Sequence, residues 1–144
     1  MASFNSLTAA MIAELKSVLS SPQILLQDAE AIEKYSHDFT EDLRFSPNCA
    51  VLARNRDDVV ATLKFANKHR IPVTPRGAGT GLSGAALPVF GGIVLSLEKM
   101  NRILEIDENN LVAVVEPGVI TEILQNAVQE KGLYYPPDPA SRGS

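Results

Sequence analysis

Between two β-like runs, Ile71–Thr74 and Ile93–Leu97, the chain carries Pro75-Arg76-Gly77-Ala78-Gly79-Thr80-Gly81-Leu82-Ser83-Gly84. Four glycines in ten residues disfavour a helix, since each costs about 1 kcal/mol against alanine in a helix interior. They also allow positive φ and close approach of the backbone to a ligand. An irregular loop must therefore join the two runs, and successive N–H groups in such a loop form a concavity suited to an anion, phosphate above all. Arg76 adds fixed positive charge at the loop's entrance, and the Thr80 and Ser83 hydroxyls add donors. A phosphate-bearing ligand is the first expectation.

Three readings of this loop differ in what must follow it. Walker-type nucleotide binding needs Gly-Lys-Ser/Thr at the loop's end to reach the terminal phosphates and a metal ion; the chain has none. Gly79-Thr80-Gly81-Leu82-Ser83-Gly84 does match the dinucleotide pattern G-x-G-x-x-G, and Glu98 lies near the place of the ribose-binding acid. That pattern must open a helix, whereas Ala85 to Gly92 contains Pro88 and a Gly-Gly pair. A parallel crossover takes roughly a dozen residues and is usually helical, so the match is a decoy. Two readings stay open on the residues alone: a diphosphate cradled by backbone N–H groups, and a glycine-rich surface loop that binds nothing.

The rest of the chain reads as one α+β unit. Leu7, Met11, Leu15, Val18 and Leu19 recur at helical spacing, and Ser20-Ser21-Pro22 ends that helix. Ile24-Leu25-Leu26 is too short to classify, and Asp28 can cap a short helix through Lys34. Cys49–Ala53 reads as a buried strand, and Asp57–Lys68 as a helix with Val59, Val60, Leu63, Phe65 and Ala66 turned inward. Ile103–Ile106 and Leu111–Val115 form a hairpin across Asp107–Asn110. Thr121 is expected to cap a last helix to about Lys131, stopped by Gly132. A net charge of −4 argues against a nucleic-acid surface. No run approaches the roughly 18 apolar residues of a membrane span.

Several motifs then point to one family. Ile71–Gly84 resembles the diphosphate loop of the vanillyl-alcohol-oxidase/p-cresol-methylhydroxylase (PCMH-type) FAD-binding domains. Ile93–Leu97 with Met100-Asn101-Arg102-Ile103-Leu104 resembles that family's next strand and its L-N-x-I-L turn. Val115-Glu116-Pro117-Gly118-Val119 resembles its second FAD-contacting turn, and Tyr135-Pro136-Pro137-Asp138-Pro139 its third. This last turn is most similar to the branch of glycolate oxidase FAD subunits and D-lactate dehydrogenases. The resemblance runs from about Tyr35 to Ser141.

It implies an α+β, PCMH-type FAD-binding domain with a small mixed sheet over residues 47–144, preceded by a helical arm at 1–46. That domain is expected to be incomplete at its C-terminus, with the cap domain of the substrate pocket absent. The implied diphosphate site is Pro75, Arg76, Gly77, Ala78, Gly79, Thr80, Gly81, Ser83 and Gly84. Pro117, Gly118 and Val119 would line the cofactor's path, and Pro137 and Asp138 would approach the flavin. No catalytic or metal-binding residue is expected.

FAD is expected to bind non-covalently, because the loop has no histidine to link it. Ala85, where relatives usually carry glycine, adds a Cβ near the cofactor. In the family a second glycine-rich stretch follows the Pro-Pro-Asp-Pro turn, and Ser144 comes before it. Small-ligand sites usually enclose roughly 70–90% of their ligand, so FAD affinity in these residues alone is expected to be weak or absent.

The implied function is the FAD-binding portion of a flavin-dependent oxidoreductase, oxidising a D-2-hydroxy acid of glycolate or D-lactate type by hydride transfer to flavin. This chain by itself is expected to be inactive. The alternative is a non-catalytic subunit or assembly module that keeps the fold without cofactor. Expected partners are FAD, a small 2-hydroxy acid in the full-length enzyme, other oxidase subunits, and a second copy of the chain through an uncovered apolar face. The expected location is the cytoplasm, or the membrane through partner subunits.

The remaining chemically tempting residues read as structural. His37 and Asp38 are expected to satisfy local hydrogen bonds in a loop. Asp57-Asp58 and Lys68-His69 complement the two ends of a helix dipole. Asp107-Glu108 lies in a turn, Tyr134-Tyr135 at an apolar strand end, and Cys49 packs in the core.

Overall fold

The computed structural model describes residues 3–40 and 42–144. Helix α1 (Ala9–Val18) starts where Thr8 Oγ1 accepts the Met11 N–H at 3.2 Å, and it buries Ile12 and Leu15. A 3-10 turn at Pro22–Ile24 leads into strand β1 (Leu25–Leu26). Helix α2 (Ala29–Glu33) is capped by the Asp28 carboxylate, which accepts the Glu30 and Ala31 N–H groups. Strand β2 (Cys49–Leu52), helix α3 (Arg56–His69) and strands β3 (Val73–Arg76) and β4 (Ile93–Ser96) follow.

These strands form one sheet in the order β1-β2-β4-β3, antiparallel at β1 and parallel elsewhere. Every residue of β4 is buried, as expected of a strand paired on both sides within a parallel sheet. Side chains alternate between the two faces. Cys49, Val51, Ile93 and Leu95 pack on one face with Leu15 and Leu19 and with Phe65 and Ala66. Ala50 and Val94 meet Tyr35 on the other. Residues before Ser46 thus supply both a strand to the sheet and part of its core.

Three local expectations need correction. In α3, Leu63 is 47% exposed and the inward face includes Asp58 and Thr62. The Thr62 hydroxyl is satisfied by the Asp58 carbonyl at 2.8 Å, which makes its burial tolerable. Asp58 does more than complement a dipole: its carboxylate accepts the Ser20 and Arg54 N–H groups and the Ser20 hydroxyl, at 2.8–3.0 Å. Finally, α4 (Thr121–Gln129) begins at Ile120 with no side-chain cap, so Thr121 is its first helical residue.

Strands β5 (Ile103–Asp107) and β6 (Val112–Val115) form a separate antiparallel hairpin. Its turn is closed by the Asp107 carboxylate, which accepts the Asn109 and Asn110 N–H groups and the Asn110 amide. Tyr134 and Tyr135 lie in an irregular extended segment rather than a strand, with Tyr134 83% exposed.

The link from β3 to β4 positions the site. These strands are parallel and adjacent, with Arg76 opposite Ser96. The crossing between them, Gly77 to Gly92, contains no helix. The helical crossover usual for parallel neighbours is replaced by the glycine loop itself.

Candidate cofactor site

The glycine loop leaves the C-terminal end of β3, beside the end of β4. Ligands of open α/β sheets bind outside such strand ends. Two contacts fasten the neighbouring turn to the same edge. Leu97 donates its N–H to the Arg76 carbonyl at 2.9 Å, and Gly118 donates to the Met100 carbonyl at 2.7 Å. A Cβ on Gly118 would collide with the Leu97 carbonyl oxygen, so the backbone can come this close only at glycine. The structure thus brings together Arg76, the glycine loop and Pro117-Gly118-Val119 through Leu97.

Within the loop most residues are exposed and only Gly79 is buried, against Arg76. The N–H groups of Ala78 through Ser83 bond to no acceptor among the described residues, and neither do the Thr80 and Ser83 hydroxyls. Gly77, Ala78, Gly81 and Ser83 are exposed, and nothing lies within 4 Å of where a Cβ would stand on Gly77 or Gly81. A row of N–H groups without acceptors, with open space at Gly77 and Gly81, matches an anion cradle.

Arg76 does not stand at the loop's entrance. Its side chain folds beneath the loop, leaving the residue 8% exposed. Nη2 donates to the Lys34 carbonyl at 3.2 Å, the guanidinium lies 5.8 Å from the Tyr35 ring centre, and Nη1 is buried with no partner among the described residues. No carboxylate among the described residues pairs with it. A buried guanidinium with an unsatisfied N–H is costly and attracts an anion.

Glu98, the acid of the dinucleotide pattern, is held elsewhere. It accepts Lys34 Nζ at 3.0 Å and the Tyr35 hydroxyl at 3.3 Å. Burial raises the Tyr35 hydroxyl above its ordinary pKa. No helix opens after Gly84, so the decoy pattern fails on both of its structural requirements.

Pro137 and Asp138 make their hydrogen bonds to Gln125 and Arg142: Gln125 donates to the Pro137 carbonyl at 2.8 Å, and Asp138 pairs with Arg142 at 3.1 Å. No hydrogen bond among the described residues joins either of them to the glycine loop.

His37 and Asp38, read from sequence as loop residues, are followed by Phe39 and Thr40, which bond to the cradle. Phe39 donates its N–H to the Gly81 carbonyl at 3.1 Å, and Thr40 Oγ1 accepts the Gly84 N–H at 2.7 Å. Asp38 satisfies the Thr40 N–H at 2.8 Å, but its Oδ2 and His37 Nδ1 are buried without partners among the described residues. Burial pushes the Asp38 carboxyl upward. Its bonds with Thr40 and the nearby Arg76 charge outweigh this and hold it below the usual carboxylate range. Tyr35, where the resemblance begins, is the one sequence signal that this stretch belongs with the site. Cys49 lies in the core, where burial raises its thiol to about 12. His69 binds Glu14 at 3.0 Å, joining α3 to α1.

Known proteins match this arrangement. The chain is 49% identical over 107 residues to glycolate oxidase subunit GlcD of Bacillus subtilis, covering 74% of this chain and 23% of that protein. It is 41% identical over 135 residues to D-2-hydroxyglutarate dehydrogenase of Stutzerimonas stutzeri, covering 94% and 29% respectively. It therefore spans about a quarter of the length of these curated relatives. Among solved structures, p-cresol methylhydroxylase with substrate bound superposes with a TM-score of 0.75 at 29% identity, over 86% of this chain and 25% of that one. Alkyldihydroxyacetonephosphate synthase shares the fold, with a TM-score of 0.83 at 20% identity over 98% and 28%. The family described as "FAD binding domain" matches residues 47–144, and the chain belongs to that family of flavoproteins.

Proposed function

We propose that the chain supplies the diphosphate-binding part of the FAD site of an oxidoreductase acting on a D-2-hydroxy acid. The observation that carries this reading is the row of free N–H groups from Ala78 to Ser83, set over the unpartnered buried Nη1 of Arg76. That donor set is anionic in preference, and open space before Gly77 and Gly81 admits a ligand against the backbone. Residues Pro75 to Gly84, without Leu82, would hold the diphosphate by main-chain and hydroxyl donors. Pro117, Gly118 and Val119 would border the cofactor from the adjoining turn, and Pro137 and Asp138 would meet its flavin end. The loop holds no histidine, so attachment is non-covalent.

When bound, FAD supplies the two-electron acceptor for hydride removal from the substrate α-carbon; the protein's part is position and electrostatics. The substrate class rests on relatives named for glycolate and D-2-hydroxyglutarate. The chain spans about a quarter of those relatives' length, and by itself it is proposed to be inactive.

The test is titration of the purified chain with FAD, ADP and riboflavin, followed by flavin or intrinsic fluorescence and by calorimetry. ADP carries the diphosphate without the flavin, and riboflavin the reverse. Weak binding of FAD and ADP but not riboflavin is the expected pattern, the loop being one part of the site. Riboflavin binding without ADP binding would overturn the assignment, and so would absence of all three.

A further inference from the structure

We propose that Asp38-Phe39-Thr40 is a positioning latch for the glycine loop, with Thr40 as its decisive residue. The inference rests on the diphosphate reading above and extends it to a segment some forty residues upstream.

The loop has little to hold its shape. From Ala78 to Ser83 its N–H groups are bonded to nothing among the described residues. A cradle of that kind is useful only if its donors are already pointed together, because ordering them at the moment of binding would cost affinity. Two bonds close the gap, and both come from the same short segment. Phe39 N–H reaches the Gly81 carbonyl and Thr40 Oγ1 takes the Gly84 N–H, so the two ends of the turn Gly81–Gly84 are gripped together.

The latch is itself braced. Asp38 Oδ1 accepts the Thr40 N–H at 2.8 Å, a side-chain-to-backbone turn that sets where the Thr40 hydroxyl stands. Asp38 is 7% exposed and Phe45 N–H closes onto the Ser36 carbonyl at 2.8 Å, which ties the far side of the segment. Thr40 never reaches the ligand in this scheme. Its effect on affinity passes through Gly84.

Three variants of the 144-residue chain test it: Thr40→Val, which keeps the shape and removes the hydroxyl, Thr40→Ser, which keeps the hydroxyl, and Asp38→Asn. Two readouts are needed, amide hydrogen exchange at Gly84 in the absence of ligand and ADP affinity by calorimetry. Thr40→Val is expected to speed Gly84 exchange at least about tenfold and to weaken ADP binding by a similar factor, a change of about 1.4 kcal/mol. Thr40→Ser should restore both to within about twofold of wild type, while Asp38→Asn, keeping an acceptor for the Thr40 N–H, should fall between the two.

Unchanged exchange at Gly84 in Thr40→Val overturns the latch. So does faster exchange with undiminished ADP affinity, which would make the bonds structural only. If the wild-type chain binds neither ADP nor FAD, the diphosphate reading falls and this positioning role falls with it. The exchange data then still decide whether the bond orders the loop.

Discussion

The Arg76 guanidinium occupies the space in which Gly79 would carry a side chain: a Cβ built there lies 2.8 Å from Nε and closer still to the guanidinium carbon. Gly79 also has φ of +77°, a conformation that costs an ordinary residue about 1 kcal/mol or more. Gly81 has neither constraint, with nothing within 4 Å of its Cβ position. The two glycines are therefore predicted to separate. Gly79→Ala should displace Arg76, lower the unfolding midpoint and weaken ADP binding together. Gly81→Ala should leave stability within about 0.5 kcal/mol of wild type and still weaken ADP binding, because its methyl projects into the ligand's space. Urea unfolding and calorimetry on both variants check this; equal stability losses would contradict it.

Arg76→Met gives the opposite signature to an ordinary core mutation. Replacing a buried, incompletely partnered charge by an apolar side chain of similar length is often neutral or stabilising. The unfolding midpoint without ligand is expected to hold or rise. Affinity for ADP should fall by about 1.5–3 kcal/mol, the usual size of a hydrogen bond to a charged group. Weakened salt dependence of the residual binding would accompany the loss, since the charge is what responds to screening.

What was legible in the chain was what depends on near neighbours. The Asp28 region caps its helix locally, the Asp107–Asn110 turn closes on itself, and the glycine loop cannot be helical whatever surrounds it. Arg76 was misplaced because its resting position depends on the Lys34 carbonyl and the Tyr35 ring, 42 and 41 positions away, and charge alone suggests exposure. Thr40 was passed over for the same reason: its partner Gly84 is 44 residues distant. In α3, apolarity pointed to Leu63, but a bond from Thr62 to the preceding turn let a hydroxyl take the core position instead.

Acid should unfold the chain through Asp58. Burial raises this carboxyl, but hydrogen bonds from the Ser20 and Arg54 N–H groups, the Ser20 hydroxyl and the Asn55 backbone outweigh it and lower its pKa in the folded state. A group with a depressed folded pKa stabilises fully above its unfolded value, about 3.9 for aspartate. That contribution is lost as pH falls from there through the folded pKa, because the unfolded chain takes up the proton first. Asp58→Asn should lower the urea midpoint at pH 7 and flatten its decline below about pH 4 relative to wild type. An Asn variant with the same pH slope as wild type would count against the assignment.

The last prediction concerns the hairpin. Two strands alone are marginal in water, yet among the described residues β5 and β6 pair only with each other, and Val112 and Val114 on β6 are 52% and 44% exposed. Leu111, Val112 and Tyr134 border a groove of about 470 Å³ that reaches Leu124 and Val128 of α4. A surface of this kind drives association, and each hairpin strand also presents an unpaired edge. In a solution of the purified chain the only available cover is another copy, so sedimentation velocity should show a species larger than a monomer that grows with concentration. A double variant, Val112→Lys with Val114→Lys, places charge on that edge and should return the chain to a monomer. ADP affinity should not change, because the glycine loop lies on a different sheet. A wild-type chain that sediments as a monomer at every concentration would show that the hairpin face needs no cover.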